Sequence, residues 1–142
     1  MTQEDKELLL KDLCARLPYR VKISVNNNIE SLQGINVLDN VVEYGSFLSS
    51  DIEEVKPYLF PLSSMTEEQA KEIQEIVGNP DYACIIRKTD GLELWLNYID
   101  TDPTICLDAI FEVQDYLNKN HFDYRNLINK NLAIDCTNLN IY

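Results

Sequence analysis

The chain's single histidine is its best candidate for acid–base chemistry. His121 is followed closely by Asp123, Tyr124 and Arg125. An imidazole with a nearby carboxylate could act as a general base in a site assembled from distant residues. However, no serine or cysteine nucleophile adjoins His121, and a histidine just beyond a helix is a common cap or packing residue. The sequence favours the cap, with a small enzyme as the alternative.

Two aspartates form the next candidate site. Asp100 and Asp102 have the DxD spacing that can hold magnesium through two carboxylates. The four glycines of the chain form no phosphate-binding pattern such as GxGxxG. A strand that ends at Asp100 and a helix capped by Asp102, with Pro103 in its first position, explains both acids. We therefore expect no metal site and no cofactor.

The four cysteines are too far apart for a zinc-binding CxxC motif. Each of them has apolar neighbours, which predicts reduced thiols in a hydrophobic core. Disulfides and a metal-binding or nucleophilic role remain the alternatives. Reduced thiols predict a cytoplasmic protein. The residues concerned are Cys14, Cys84, Cys106 and Cys136.

Charge is the strongest compositional signal. The net charge is −12, and residues 51–115 carry fifteen acidic side chains against four basic ones. Such a surface repels nucleic acids and anionic membranes and attracts basic surfaces. No apolar run approaches the roughly 20 residues of a membrane span, and the polar, acidic start of the chain is unlike a secretory signal. We expect a protein partner, for which a basic surface is one option, and no direct contact with nucleic acid or membrane.

The first half of the chain predicts a helix followed by a meander of strands. Thr2 can cap a helix that ends at Pro18. Its buried face would hold Leu9, Leu10, Leu13, Cys14 and Leu17, with the pairs Glu7–Lys11 and Asp12–Arg16 on the other side. Alternating residues 21–25, an asparagine turn at 26–28 and strands over 29–37 and 41–47 follow, with a bulge at Gly34.

The second half predicts two more helices around a hairpin. Residues 57–62 form an apolar connector, and Thr66 with Gln69 forms a capping box. Gly78 would close this second helix in the left-handed conformation. Strands over 82–88 and 92–99 flank a turn at 89–91, and a helical turn within 121–131 precedes a strand at 132–134. The third helix would bury Cys106, Ala109, Ile110, Val113 and Leu117.

These elements predict the fold class α+β. We expect a single domain over residues 1–142, with short antiparallel strands in a meander and a hairpin, packed with about three helices.

Acidic side chains on the second and third helices are the main candidates for partner binding. If the helices lie side by side, their carboxylates would form rows that imitate duplex phosphates, together with Asp51, Glu53 and Glu54. An ordinary solvated face is the alternative. Trp95, on a polar strand face, is a further contact candidate or a residue covered by a helix. The predicted partner-binding residues are Trp95, Glu67, Glu68, Glu72, Glu75, Asp108, Glu112 and Asp115.

Three segments carry a resemblance to a known group. Residues 12–19 (DLCARLPY), 56–68 (KPYLFPLSSMTEE) and 120–128 (NHFDYRNLI) resemble small uncharacterised proteins of gut-bacterial genomes and their phages or prophages. That group has glycine at the positions of Arg20, Asn126 and Asn131. Asparagine tolerates positive φ, so the same turns are predicted at the two asparagines but not at Arg20.

The resemblance implies a mobile-element accessory protein that acts inside a bacterial cell. We therefore predict a non-enzymatic protein that binds another protein through an acidic surface, with inhibition of a host nucleic-acid-handling factor as a more specific version. A structural or self-assembling component, and a small enzyme with a site near His121, are the alternatives. The oligomeric state stays open.

Overall fold

The computed structural model describes residues 1–78, 83–88, 91–96 and 103–142, with side chains outside 79–107. These residues include three α-helices and a mostly antiparallel sheet, which confirms the α+β class. Their contacts divide into two compact units, which we call the first unit (Met1–Phe60 with Asp123–Tyr142) and the second unit (Pro61–Phe122). Organisation as a single domain stays a prediction.

The first unit begins with a helix and continues as a meander. Its helix α1 spans Gln3–Arg16 and is followed by a 3₁₀ turn. The strands are β1 (Lys22–Val25), β2 (Asn28–Asn36), β3 (Val41–Tyr44), β4 (Leu48–Asp51), β5 (Val55–Pro61), β8 (Phe122–Asp123) and β9 (Ile134–Asp135). Across the sheet the order is β4-β3-β2-β1-β5-β8, and β9 pairs with β5 in parallel.

The turns of the meander confirm the predictions made from asparagine and glycine. Asn26 and Asn27 have φ of 51° and 64°, and the register of β1 and β2 closes at Val25 and Asn28. The register of β2 and β3 shifts between Leu32 and Gly34, which is the predicted bulge. The strand predicted over 41–47 is shorter, because the chain turns after Tyr44 and returns as β4.

The prediction of a connector over residues 57–62 is wrong, because most of this segment belongs to the buried strand β5. The sequence does not predict this strand because it contains two prolines, and proline has no amide hydrogen to donate to a β-ladder. Ile23 of β1 lies opposite Pro57. The Tyr142 hydroxyl lies just beyond this pair, accepts from the Lys22 amide at 3.1 Å and donates to the Tyr58 carbonyl at 2.8 Å. The Tyr142 side chain thus takes the place of the next backbone hydrogen bonds between β1 and β5.

Helix α1 buries charge as well as leucine. The predicted Asp12–Arg16 pair forms, with Nε–Oδ2 at 2.7 Å, but it lies in the interior rather than on the outer side, because both side chains are fully buried. Arg125 approaches the other Asp12 oxygen at 3.3 Å. Both guanidinium groups lie near the Tyr124 ring, at 5.5 and 4.9 Å from its centroid. One carboxylate therefore serves two arginines.

Within residues 121–131, Phe122 and Asp123 form β8 and the rest forms turns and bends, rather than the predicted helical turn. The Asp123 carboxylate accepts hydrogen bonds from the backbone of Leu127 and Ile128, at 2.9 and 2.8 Å. The final strand also starts later than predicted, at Ile134. Asn126 and Asn131 have positive φ as expected.

The 3₁₀ turn after α1 corrects the prediction at Arg20. This residue has φ of 53° and ψ of 44°, which is the left-handed conformation. Its amide donates to the Leu17 carbonyl. Arg20 therefore adopts positive φ, as Asn126 and Asn131 do.

An apolar cluster fills the first unit beneath the sheet. It combines residues of α1, of strands β1, β2, β3 and β5, and of the loop before β9. Leu10 and Leu17 are partly buried and pack against this cluster, as predicted, whereas Cys14 is exposed and the prediction for it is wrong. The cluster is formed by Leu9, Leu13, Val21, Ile23, Val25, Leu32, Val42, Tyr44, Ile52, Val55, Leu59, Leu127, Leu132 and Ala133.

The second unit holds helix α2 (Glu67–Val77), the hairpin β6 (Ala83–Lys88) and β7 (Gly91–Leu96), and helix α3 (Pro103–Lys119). Helix α2 packs against α3 and β6. The predicted cap at Asp102, the pair with Asp100 and most of the turn at 89–91 lie outside the described residues. Within the part of the chain that the structure describes, no helix is long and apolar enough to cross a membrane.

Candidate functional site

Helix α2 presents its carboxylates on an exposed surface. The Thr66 hydroxyl accepts from the Gln69 amide, and the Gln69 side chain accepts from the Thr66 amide, which confirms the capping box. Ile73 is fully buried, so the opposite side of the helix faces solvent. Gly78 ends the helix with φ of 88° and ψ of −136°, so its φ is positive as predicted but the conformation is not left-handed helical. The exposed acids are Glu67, Glu68, Glu72 and Glu75.

Helix α3 repeats this arrangement. Its buried side includes Val113 and Leu117, as predicted. Asp108, Glu112 and Asp115 are exposed and follow one another at i, i+4 and i+7, the same spacing as Glu68, Glu72 and Glu75 on α2. Each helix therefore carries one stripe of carboxylates.

The two stripes lie on helices that pack against each other. The Tyr116 hydroxyl of α3 donates to Glu72 Oε2 of α2 at 2.6 Å. Burial, with the nearby Glu72 carboxylate as a second cause, raises the pKa of Tyr116 above its ordinary value. Helices α2 and α3 are therefore in contact through Glu72 and Tyr116, and the arrangement of their carboxylates in common rows stays a prediction. We call these seven acids the acidic face: Glu67, Glu68, Glu72, Glu75, Asp108, Glu112 and Asp115.

An exposed aromatic residue within this surface escaped the sequence analysis. Phe111 is 64 % exposed and lines a shallow depression with Glu112, Gln114, Asp115 and Asn118. The signal was present, because Phe111 does not share the period of Val113 and Leu117. Ile110, which we predicted to be buried, is 36 % exposed. Exposed apolar surface therefore lies beside Glu112 and Asp115 of the acidic face.

Trp95 and two cysteines lie partly beyond what the structure describes. The backbone of Trp95 belongs to β7, opposite Cys84 in the hairpin register, but its side chain is outside the described residues. Its role as a contact stays a prediction. Among the cysteines with described side chains, Cys136 is buried as predicted, whereas Cys14 is exposed and the core prediction for it is wrong. Cys84 and Cys106 are not among them.

His121 lies one residue beyond the C-cap position of α3, in the turn that closes the helix. It follows α3 with φ of 58°, its amide donates to the Asn118 carbonyl at 3.1 Å, and its side chain is 9 % exposed. The conformation and burial are those expected of the cap. Of the other residues considered with it, Asp123 holds backbone amides and Arg125 approaches Asp12, as described above.

Neither the metal-ligating side chains of the described residues nor a comparison with known proteins points to a further site. Within the described ranges, no group of three or more histidine, cysteine or acidic side chains could hold a metal ion. No protein-family model, curated protein or solved structure matches the chain.

Proposed function

We propose that the chain is a non-enzymatic accessory protein of the phage or prophage type, which acts in the bacterial cytoplasm by binding another protein through the acidic face. The observation that carries this proposal is the packing of α2 on α3, which sets two carboxylate stripes with the same spacing on adjacent helices. Its partner presents a basic surface.

The stability of the helices explains only part of these stripes, because Glu67 and Glu68 lie in the first turn of α2, where the helix dipole favours acids, whereas other pairs repel. Like charges at i and i+4, such as Glu68–Glu72 and Asp108–Glu112, destabilise a helix by about 0.2–0.5 kcal/mol per pair. The two helices carry seven acidic residues and only two basic ones, Lys71 and Lys119. Charge that opposes folding in this way is well suited to recognising an oppositely charged partner, where it speeds encounter and sets orientation.

Phe111 adds an apolar contact to the charged surface. A solvent-exposed phenylalanine loses the roughly 1.5–3 kcal/mol that burial of its side chain would contribute. Contact with a partner would supply that burial beside Glu112 and Asp115, and buried aromatic residues are common interface hot spots. Recognition would therefore combine a desolvated aromatic anchor with charge complementarity around it.

A pull-down with matched charge-reversal variants tests the proposal. The test variant combines Glu68→Lys, Asp108→Lys and Glu112→Lys, and the control combines Glu4→Lys, Glu7→Lys and Asp39→Lys on exposed positions of the first unit. Both change the net charge equally. We expect the wild type and the control, but not the test variant, to capture one stoichiometric basic protein from a nuclease-treated host lysate.

Salt provides a second comparison. Raising it to about 0.3 M shortens electrostatic reach and should release the partner. Equal capture by both variants would contradict the assignment of the acidic face. No partner at either salt concentration would favour the self-assembling or enzymatic alternatives.

The more specific version names a nucleic-acid-handling factor of the host as the target. Rows of carboxylates would then occupy a cleft that otherwise binds phosphates. The purified partner should release a labelled DNA duplex when the wild-type chain is added, and should keep it when the test variant is added. Simultaneous binding of chain and duplex would exclude this version while leaving protein binding intact.

A further inference from the structure

The outer face of the sheet in the first unit carries basic side chains. Lys22 lies opposite Ser31 in the register of β1 and β2, and Ser24 lies opposite Lys56 in the register of β1 and β5. Residues opposite each other share a face of the sheet, and Ile23, the residue between Lys22 and Ser24, points into the apolar cluster on the other face. Both lysines are half-buried and therefore project from the side of the sheet that faces away from this cluster.

These two lysines have neutral partners only. The Lys22 ammonium donates to Ser31 Oγ at 2.7 Å, and the Lys56 ammonium donates to Asn131 Oδ1 at 2.8 Å. Neither lysine forms an ion pair with any residue that the structure describes. Four other basic side chains of the first unit each pair with a carboxylate, namely Lys6, Arg16, Arg125 and Lys130. In a chain of net charge −12, the outer face thus keeps positive charge that no acid neutralises.

The acidic residues nearest in sequence do not offset this charge. Glu30 of β2 lies opposite Ile23, and hence on the other face of the sheet. Glu54, two residues before β5 reaches Lys56, is exposed and forms no ion pair within the described chain. On β3, one strand further out, the Glu43 carboxylate lies against Gly34. Repulsion between the two lysines, which are diagonal neighbours roughly 7–8 Å apart, is therefore left for a bound anion to relieve.

A third cation adjoins the lysines. Arg20 lines a shallow depression together with Ser31, Gln33 and the turn formed by Leu17 and Pro18. Its side chain is exposed and forms neither a hydrogen bond nor an ion pair with the described residues. Its φ of 53° is uncommon for a long side chain and would suit asparagine or glycine better. An arginine at this position places a planar set of N–H donors beside Ser31.

The charges and donors on this face match one class of ligand. A phosphate monoester carries about −1.5 to −2 charges at neutral pH and three acceptor oxygens, which suits three cations with serine hydroxyls beside them. A carboxylate carries a single charge and would leave more of the positive charge uncompensated. A nucleic acid or a second copy of the chain would also meet the field of the remaining acidic surface, which repels both.

We infer that Arg20, Lys22, Ser24, Ser31 and Lys56 bind the phosphate monoester group of a small molecule. We call these five residues the basic face. The ammonium groups and the arginine fork supply charge-assisted hydrogen bonds. Because Ser31 Oγ already accepts from Lys22, its own hydrogen can be donated to a phosphate oxygen. The basic face belongs to the first unit and does not depend on the acidic face of α2 and α3, so each proposal can fail without the other.

Titration with small ligands, followed by the amide NMR signals of the full chain, tests this inference. The probe is O-phosphoserine, and the comparison ligands are serine, which lacks the phosphate, and aspartate, which replaces it with a carboxylate. At low ionic strength we expect saturable shifts at residues 20–24, 31 and 56, with a Kd of about 1 mM or below. Serine and aspartate should produce no saturable shift at these positions up to about 20 mM.

Variants of equal net charge locate the site. Lys22→Gln combined with Lys56→Gln should weaken binding of O-phosphoserine by about tenfold or more, since charged hydrogen bonds are lost. Lys11→Gln combined with Lys71→Gln removes two other exposed lysines and should change the Kd by less than about twofold. Arg20→Asn keeps a residue that tolerates positive φ and should weaken binding by about three- to tenfold.

Four outcomes would overturn the inference. The first is the absence of saturable binding, and the second is binding of serine or aspartate as tight as that of O-phosphoserine. The third is an equal loss in the two double-lysine variants, which would show a general effect of net charge. The fourth is displacement of O-phosphoserine by a short oligonucleotide that binds more tightly, or a dimer that the Lys22 and Lys56 substitutions dissociate. Circular dichroism of each variant confirms that the fold is retained.

Discussion

The charged side chains contrasted in the two units lie in opposite environments, buried in the first and exposed in the second. In the first unit, Asp12 and Arg16 are fully buried and share their cluster with Arg125. In the second unit, the acidic side chains of α2 and α3 lie on the surface as single-signed stripes. The residue spacing is the same, because Asp12–Arg16 and Glu68–Glu72 are both i,i+4 pairs. Spacing along a helix therefore does not decide whether a charge pair is structural or available to a partner.

Burial supplies the physical reason for the difference. A charge in the interior loses its hydration and must be neutralised by close partners, so its sign and geometry are constrained. A charge on the surface keeps its hydration, and its neighbours contribute little to stability. Single-signed stripes are tolerable only in the second situation, and there they remain free to act on approaching molecules through their field.

The largest expected effect comes from breaking the buried cluster. Asp12→Asn keeps the shape of the side chain but leaves two guanidinium groups without their carboxylate, and should lower the free energy of unfolding by about 3–5 kcal/mol. Urea denaturation followed by circular dichroism measures this change. Glu112→Gln on the acidic face is the control and should shift the same quantity by about 0.5 kcal/mol or less. Similar values for both variants would contradict the contrast between the units.

A smaller loss of stability should follow from removing the Tyr142 hydroxyl, which completes the β1–β5 ladder. Tyr142→Phe leaves the Lys22 amide and the Tyr58 carbonyl without this partner, and should lower the free energy of unfolding by about 0.5–1.5 kcal/mol. Hydrogen exchange of the Lys22 amide should become faster while the amides of α2 keep their rates. An unchanged rate at Lys22 would show that the hydroxyl does not hold this end of the sheet.

The pH dependence of stability provides a second test of the Tyr142 hydroxyl. Burial raises the pKa of Tyr142 above its ordinary value. Above about pH 10 the unfolded chain therefore releases a proton that the folded chain retains, so the stability of the wild type falls as pH rises. Tyr142→Phe lacks this contribution, and the two stability curves should converge with rising pH. Parallel curves between neutral pH and pH 11 would contradict the raised pKa.

The smallest effect should be confined to the second unit. Thr66→Ala removes the hydroxyl that caps α2 and should cost about 1 kcal/mol. Residue-resolved hydrogen exchange should show faster exchange in the first turn of α2, with little change in β1 and β5. Thr66→Ser retains a capping hydroxyl and serves as the control. A loss of protection spread equally over the sheet would show that the two units are not independent.

The local features of the fold were predictable from sequence because their causes lie within a few residues. The capping box of Thr66 and Gln69, the turn at Asn26 and Asn27, and the bulge at Gly34 each depend on one side chain or its absence. The carboxylate stripes of α2 and α3 likewise follow from helical spacing. The sequence alone therefore predicts these parts of the candidate site.

Burial and pairing between distant segments were decided only by the tertiary structure. Sequence placed Asp12 and Arg16 on the outside of α1 and treated β5 as a connector, since charge favours solvent and proline disfavours strands. The approach of Arg125 and the hydroxyl of Tyr142 reverse both expectations from more than 80 residues away. The exposure of Phe111 was equally hidden, because it depends on which surfaces the neighbouring elements cover. Local preferences act over one turn of chain, whereas burial is a property of the whole packed unit.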